Sequence, residues 1–124
     1  MDTDWTEGNG SAIDRWNQLH EALADESRRM VIFSLLDVPE ERRLPLPEAA
    51  ESPNTSIDSK SLNIQLEHHH LPKLADAGYI RWERDPFCVQ RGPRYEEVEI
   101  ISKQIIDSLD HLPKTLIYGC EILE

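Results

Sequence analysis

The sequence is poor in cysteine and in long apolar stretches, and each shortage excludes a class of protein. Its two cysteines, Cys88 and Cys120, are far apart and form no CxxC pair, which excludes a zinc ribbon and a thioredoxin-type redox site. No apolar run approaches the roughly 18–20 residues that a membrane-spanning helix needs. The acidic N-terminus also lacks the layout of a signal peptide. We therefore expect a cytoplasmic protein with no membrane partner, in which both cysteines are free thiols.

Positive charge is scarce as well. The 124 residues include 24 Asp and Glu but only 13 Lys and Arg, which gives a net charge of −11. Such a charge repels nucleic acid and anionic membranes in dilute buffer. Two interpretations remain open: an ordinary acidic protein that binds something other than DNA, or an acid-rich surface adapted to high salt, where repulsion is screened within a few ångströms. The low lysine content favours the second, since the only lysines are Lys60, Lys73, Lys103 and Lys114.

The chain divides into three predicted parts. Residues 1–11 are acidic, contain glycine and show no apolar period, so we interpret them as a flexible tail. Residues 12–112 form one domain, and 113–124 form a C-terminal extension. Within the domain an amphipathic helix begins directly after the tail, and a second, more apolar helix follows a cap at Asp25 or Ser27.

A longer helix is predicted in the middle of the domain. Asp58 or Ser59 caps its start, leucines then recur with helical spacing, and Gly78 ends it. Pro72 lies inside this pattern, where its ring removes a backbone donor. We therefore expect either a kink or two abutting helices at this position.

A β-hairpin and a last helix complete the predicted domain. Alternating β-favouring residues at 79–83 and 88–91 flank a turn at Asp85-Pro86. An apolar stripe then runs along a long helix that Pro113 ends. The predicted fold class is therefore mainly α with a small β-hairpin, that is, α+β.

This order of elements is typical of a winged helix-turn-helix domain, and one segment makes the likeness specific. The run LPKLADAGYIRWERDPFCVQRGPRYEEVEI resembles ArsR-type winged-helix proteins, and most closely the small acidic haloarchaeal winged-helix domains of uncharacterised function. The upstream run ALADESRRMVIFSLL is similar to the family's second helix, where a small acidic turn precedes an Arg-Arg pair. The resemblance covers about residues 13–110. It implies a DNA-binding transcriptional regulator of haloarchaeal type that acts as a homodimer through its terminal helices.

The resemblance makes the helix at about 59–77 the recognition helix, which would enter the major groove. Either Asn63 or Ile64 is also expected to face away from the core. Glu67 lies on the same surface, and its negative charge opposes DNA contact. The alternative is an ordinary polar helix face. The candidate DNA-contacting residues on this helix are Lys60, Ser61, Gln65 and His68.

The wing, at about 79–91, and the residues just after it are rich in arginine. Arginines here would lie along phosphates or enter the minor groove. Pairing with Glu83, Asp85 or the Glu96-Glu97 run is the alternative. The candidates are Arg81, Arg84, Arg91 and Arg94. A second pair, Arg28-Arg29, is expected to bind the neighbouring Asp25 and Glu26.

Three consecutive histidines, His68, His69 and His70, do not predict a metal site, because neighbouring helical residues point about 100° apart. Asp107 and His111 stand four apart on the last helix, as in some metal-sensing ArsR relatives, but that family's further ligands are missing. We expect no metal and no cofactor. Since the chain has no GxSxG, Gly-rich phosphate loop or HExxH motif, we also expect no enzymatic activity.

The first and last helices carry more apolar surface than a small core absorbs, which favours a homodimer. The alternative is that both helices close the core of one monomer. The predicted interface residues are Ile13, Trp16, Leu23, Val98, Ile101, Ile105 and Leu112. The expected partners are therefore double-stranded DNA and a second copy of the chain, with inorganic cations bridging acidic side chains to phosphate in high salt. The rival hypothesis is a winged-helix protein-interaction module that does not bind DNA.

Overall fold

The computed structural model describes the backbone of residues 2–53 and 57–116, and the side chains of these ranges from Ala12 onward. Single turns of 3-10 helix occur at Leu35–Asp37, Glu48–Ala50 and Leu109–His111. The larger elements are the helices α1 (Asp2–Leu23), α2 (Glu26–Ser34), α3 (Ser59–Gln65), α4 (Leu71–Asp76) and α5 (Tyr95–Asp107), and the strands β1 (Leu44–Pro45), β2 (Ile80–Arg84) and β3 (Phe87–Arg91).

The start of α1 differs from the prediction. The helix begins at Asp2, and not directly after a flexible tail of residues 1–11. Residues 2–11 contain two glycines but no proline. A glycine costs a helix only about 1 kcal/mol, whereas each residue added to an existing helix gains a hydrogen bond. The apolar period in the sequence therefore indicates which part of α1 packs on the domain. It does not indicate the residue at which the helix begins.

The sequence allowed either an aspartate or a serine as the N-cap of α2 and of α3. In the structure the aspartate caps both helices. The Asp25 carboxylate accepts hydrogen bonds from the backbone N–H groups of Ser27 at 2.8 Å and Arg28 at 3.3 Å. The Asp58 carboxylate accepts one from the N–H of Ser61 at 2.8 Å. Both caps satisfy backbone donors that the first turn of a helix leaves unpaired.

A single turn of π-helix, Leu66–His70, joins α3 to α4, so that the backbone is helical from Ser59 to Asp76. The Leu71 N–H donates to the carbonyl of Leu66, five residues earlier. This wider turn places Pro72 in the first turn of α4, where its missing N–H costs little. The backbone is thus not broken at Pro72, and the local irregularity expected there takes the form of a π turn, a feature at which helices commonly bend.

The strands form a three-stranded antiparallel sheet in the order β1-β3-β2. In the hairpin Ile80 pairs with Arg91 and Arg84 pairs with Phe87, and the turn between the strands is Asp85-Pro86, as predicted. The very short β1 pairs through Leu44 with Val89.

The core lies between α2, the helix from Ser59 to Asp76, the inner face of the sheet and α5. Fully buried side chains come from each of these elements, for example Ile32, Leu66, Val89 and Val98. The Tyr95 hydroxyl donates to the Ile32 carbonyl at 2.6 Å and so joins α5 to α2. The fold is therefore mainly α with a small antiparallel sheet and has a winged-helix-like arrangement, which confirms the predicted class. No helix in the part of the chain described here is long and apolar enough to cross a membrane.

Candidate nucleic-acid interface

The polar side chains predicted on the recognition helix share an exposed surface. Leu62 and Leu66 are buried against the core, whereas the positions between and around them face outward. The exposed polar residues are Lys60, Ser61, Gln65 and His68. The sequence did not decide whether Asn63 or Ile64 faces outward. In the structure Asn63 is half-buried and Ile64 is exposed. The helix thus presents a polar face with an isoleucine at its centre.

On the wing, two of the predicted arginines are exposed. Arg81 is exposed on β2, and no ion pair involves it among the residues that the structure describes. Arg84 ends β2, and its guanidinium lies 5.3 Å from the ring centroid of Trp82. The Arg84 Nε also donates to Glu67 Oε1 at 2.9 Å, so a carboxylate from the recognition helix contacts the wing.

Arg91, which we predicted to contact DNA, is a structural residue instead. Its side chain is only 16% exposed, and its guanidinium donates to the backbone carbonyls of Leu35 at 2.9 Å and Val38 at 3.2 Å. It also lies 4.6 Å from the ring centroid of Tyr95. The reason is the register, because alternate residues of a strand face the same side. Arg91 therefore shares the inner face of β3 with Val89 and satisfies carbonyls that follow the end of α2.

Arg94 is exposed but does not lie on the wing. It directly precedes α5, at the opposite end of the hairpin from the Asp85-Pro86 turn. Its backbone N–H donates to the Gly78 carbonyl at 2.7 Å, and its side chain lies 3.1 Å from the point where a β-carbon on Gly78 would sit. Because Gly78 has a φ of +86°, this junction needs glycine for its backbone conformation as well.

Arg43 also lies beside the wing, a position that was not predicted from the sequence. Its Nε donates to Gln90 Oε1 at 3.3 Å, and its Nη1 lies 3.8 Å from Glu83 Oε1. Arg43 immediately precedes β1, and it reaches the wing because β1 pairs with β3. The indication in the sequence is the Arg42-Arg43 pair before a short strand. The residues around this pair do not show with which strand β1 pairs.

The recognition helix and the hairpin form an electrically neutral part of an acidic chain. Residues 58–91 contain five acidic residues and five Lys or Arg, so the net charge of −11 is carried entirely by the rest of the sequence. Local charge governs the approach of a polyanion at short range, because more distant charges are screened. Without the largely buried Arg91, the other side chains of this segment carry a net charge of −1, that is, four Lys and Arg against five Asp and Glu. This surface is therefore less repulsive to phosphate than the total charge suggests.

The three histidines have different environments. His68 and His69 are exposed, whereas His70 is buried and its Nδ1 lies 2.9 Å from an Nη of the buried Arg28. An arginine can only donate, so His70 Nδ1 accepts and the imidazole is neutral. Burial lowers the pKa of His70, and the neighbouring Asp25, 3.6 Å from Nε2, opposes this shift.

Of the two consecutive arginines Arg28 and Arg29, one forms a predicted ion pair and the other does not. Arg28 uses its remaining donors on the carbonyl of Glu21, at 2.8 and 3.1 Å, and does not bind an acidic side chain. Arg29 binds Glu26 at 3.0 Å, as predicted. Within the described part of the chain no group of three His, Cys, Asp or Glu side chains is arranged to hold a metal ion.

A family model described as "Domain of unknown function (DUF7344)" matches residues 20–90, which is more than half of the chain. The chain belongs to this family. The DUF7344 segment begins in the last turn of α1 and ends in β3, so it contains the recognition helix and nearly all of the wing. No curated protein matches the chain. No solved structure matches it either.

Most of α1 and all of α5 lie outside the DUF7344 segment and form a groove with each other. Arg15 joins the two helices, since its Nη2 lies 2.8 Å from Glu97 Oε1 and also donates to the Ala77 carbonyl. The groove has a volume of about 350 Å³ and is mainly apolar. Its lining residues are Ala12, Arg15, Trp16, Leu19, Glu97 and Ile101.

The predicted interface residues on these helices divide into two sets. Val98 has no exposed surface and belongs to the core of one chain, so its assignment to an interface is wrong. The stripe on α5 faces the core at this position because α5 packs on α2. Leu23 and Ile101 are partly buried against the core, and Ile105 and Leu112 are half-buried. Ile13 and Trp16 are more than half exposed. Cys88 is a buried free thiol, and Cys120 lies outside the described residues.

Proposed function

We propose that the chain is a homodimeric, DNA-binding transcriptional regulator of the cytoplasm. The helix from Ser59 to Asp76 lies in the major groove, and the hairpin follows the phosphate backbone. The observation that carries this proposal is the exposed surface of the winged-helix-like fold. Four polar side chains on the helix and two exposed arginines on the wing lie in a nearly neutral part of a chain whose net charge is −11. The resemblance to ArsR-type winged-helix proteins supports it.

Each exposed side chain has a suitable chemistry. Gln65 can form paired hydrogen bonds with adenine, Lys60 and Ser61 suit phosphate, and His68 suits either base or phosphate. Arg81 and Arg84 supply charge-assisted contacts to the backbone. Arg91 is withdrawn from this list, because its donors are used inside the protein.

A homodimer would present two copies of the proposed DNA-binding surface. The exposed Ile13 and Trp16, beside the apolar groove between α1 and α5, supply apolar surface for a second copy. A two-fold dimer would then place two recognition helices about one helical turn of DNA apart, roughly 34 Å. In molar salt counterion release contributes little, and inorganic cations that bridge acidic side chains to phosphate would support binding.

Selection from a genomic fragment library tests the proposal. The wild type should enrich a short palindromic motif, and the double variant Arg81→Ala/Arg84→Ala should enrich it weakly. The control variant Lys103→Ala/Lys114→Ala removes the same charge from exposed positions on and beyond α5, and it should behave like the wild type. Equal loss in both variants would indicate a general charge effect and would argue against a DNA-binding wing.

The alternative function is a protein-interaction module that has lost DNA binding. The exposed Ile13 and Trp16 and the groove beside them favour it, since an apolar surface outside the DUF7344 segment suits a protein partner. A folded wild-type protein that enriches no DNA at any salt concentration would support this alternative and exclude the regulator.

A further inference from the structure

Ile64 occupies the centre of the outward face of the recognition helix. Its side chain is 54% exposed, whereas Leu62 and Leu66, two residues to either side, are fully buried. Residues two apart on a helix differ by about 200° in direction, so Ile64 points away from both leucines and from the core behind them.

The neighbours of Ile64 on this face are all polar. Lys60 and Ser61 lie one turn before it, and Gln65 and His68 follow it, and all four are exposed. Among the described residues of this helix face, Ile64 therefore joins no apolar patch that would favour a protein partner. Glu67 also follows Ile64, and its carboxylate pairs with Arg84 of the wing. The cations Lys60, Arg81 and Arg84 favour a docked molecule that is anionic and polar overall and that offers a small apolar group at the centre.

Duplex DNA meets both requirements in one place. The major groove displays hydrogen-bonding edges bounded by phosphates, and the apolar group that it presents is the C5-methyl of thymine. Gln65, next to Ile64, is of the residue type that pairs with adenine. An isoleucine is also stiff at χ1, so little rotamer freedom is lost when it packs on a methyl group.

We propose that Ile64 reads the thymine methyl group and makes A·T pairs part of the recognised site. This inference rests on the proposed function, and it names the class of duplex that the same surface selects. Ile64 is thus a specificity-determining residue, whereas Lys60 and the wing arginines provide affinity that does not depend on sequence.

The test removes the methyl group from the DNA and leaves the protein intact. The duplex of about 20 base pairs that the wild type enriches most from a random pool is prepared twice, once with thymine and once with uracil, which lacks only the methyl. Binding is measured by fluorescence anisotropy at one salt concentration. A buried methylene-sized group contributes about 0.8 kcal/mol, and the proposed homodimer places one Ile64 in each half-site, so the wild type should bind the thymine duplex about 15-fold more tightly.

The variant Ile64→Ala should bind both duplexes equally, at about the affinity of the wild type for uracil DNA. Its matched control is Ile100→Ala on α5, where the isoleucine is 55% exposed, and this variant should keep the preference of the wild type. Equal binding of both duplexes by the wild type, or a preference retained in Ile64→Ala, would overturn the inference while leaving the proposed function intact. Failure of the wild type to enrich any duplex would instead overturn both.

Discussion

Arg84 on the wing and Glu67 on the recognition helix are joined by a hydrogen-bonded ion pair of 2.9 Å between Nε and Oε1. The Arg84 side chain is 63% exposed, and that of Glu67 is 29% exposed. This pair links the two elements proposed to contact DNA, and it occupies an arginine that a phosphate would otherwise bind. If the proposed function holds, Glu67 competes with the phosphate backbone for Arg84.

Replacing Glu67 by glutamine should strengthen DNA binding. The change frees Arg84 and removes a negative charge from the binding face, and exposed pairs of this kind are worth up to about 1 kcal/mol. We expect Glu67→Gln to lower Kd about two- to fivefold in dilute salt, with a smaller gain in molar salt because of screening. Glu96→Gln on α5 removes an equal charge away from this face and should leave Kd unchanged. Weaker binding by Glu67→Gln would show that Glu67 positions Arg84 instead of competing for it.

Replacing Arg91 should affect stability much more than replacing Arg81. Arg91→Ala leaves the Leu35 and Val38 carbonyls without their donor, so we expect the free energy of unfolding to fall by about 2–4 kcal/mol. Arg81→Ala changes an exposed side chain and should stay within about 0.5 kcal/mol of the wild type. Urea denaturation followed by circular dichroism measures both variants. Similar values for the two would contradict a structural role for Arg91.

Stability should decrease in weakly acidic solution because of His70. Burial lowers the pKa of His70 in the folded state. Below its ordinary value of about 6.5 the unfolded chain therefore binds a proton that the folded chain does not. The free energy of unfolding should be highest above that pH, and it should fall as the pH drops from about 6.5 toward the lowered folded value, by at most about 1.4 kcal/mol per pH unit from this group.

Histidine variants separate this effect from that of other groups. The charged and titratable groups that face His70 are Arg28, Asp25 and His69. Denaturation at several pH values between about 7.5 and 5.5 should show the decrease in the wild type and in His68→Gln, since His68 is exposed. His70→Gln should lose most of the slope. A slope that persists in His70→Gln would assign it to another group.

The dimer should depend on Trp16. This side chain is 54% exposed beside the groove between α1 and α5, and a glutamate at this position would place a charge in an apolar contact. We expect Trp16→Glu to be monomeric in sedimentation equilibrium and to lose most of its affinity for a palindromic duplex. Ile64→Glu, at a side chain of equal exposure on the proposed DNA face, should remain dimeric. A dimeric Trp16→Glu would place the interface elsewhere.

The candidate site shows where local pattern was sufficient and where it was not. The helical period placed Lys60, Ser61 and Gln65 outward, because Leu62 and Leu66 define the buried side. The four arginines of the hairpin and of the residues just after it were all predicted to contact DNA, with no distinction between them. Strand parity separates Arg91, which shares a face with Val89, from Arg81, and this alternation is visible in the sequence. Arg84 has the same parity as Arg91, because Ile80 pairs with Arg91 and Arg84 pairs with Phe87, and Arg84 is exposed because it lies beside the turn. Arg43 could not be placed, because its position depends on the pairing of β1 with β3.

The sequence by itself determined the order of the elements, the hairpin turn at Asp85-Pro86 and the mainly α class with a small sheet. These follow from hydrophobic periods and from glycine and proline, which act within a few residues of the chain. Only the tertiary structure decided that Arg91 satisfies carbonyls near α2, that His70 is buried beside Arg28 and that Glu67 holds Arg84. Each of these contacts joins residues distant in sequence, and a side chain's partners are set by what the fold brings within hydrogen-bonding distance, which no local pattern encodes.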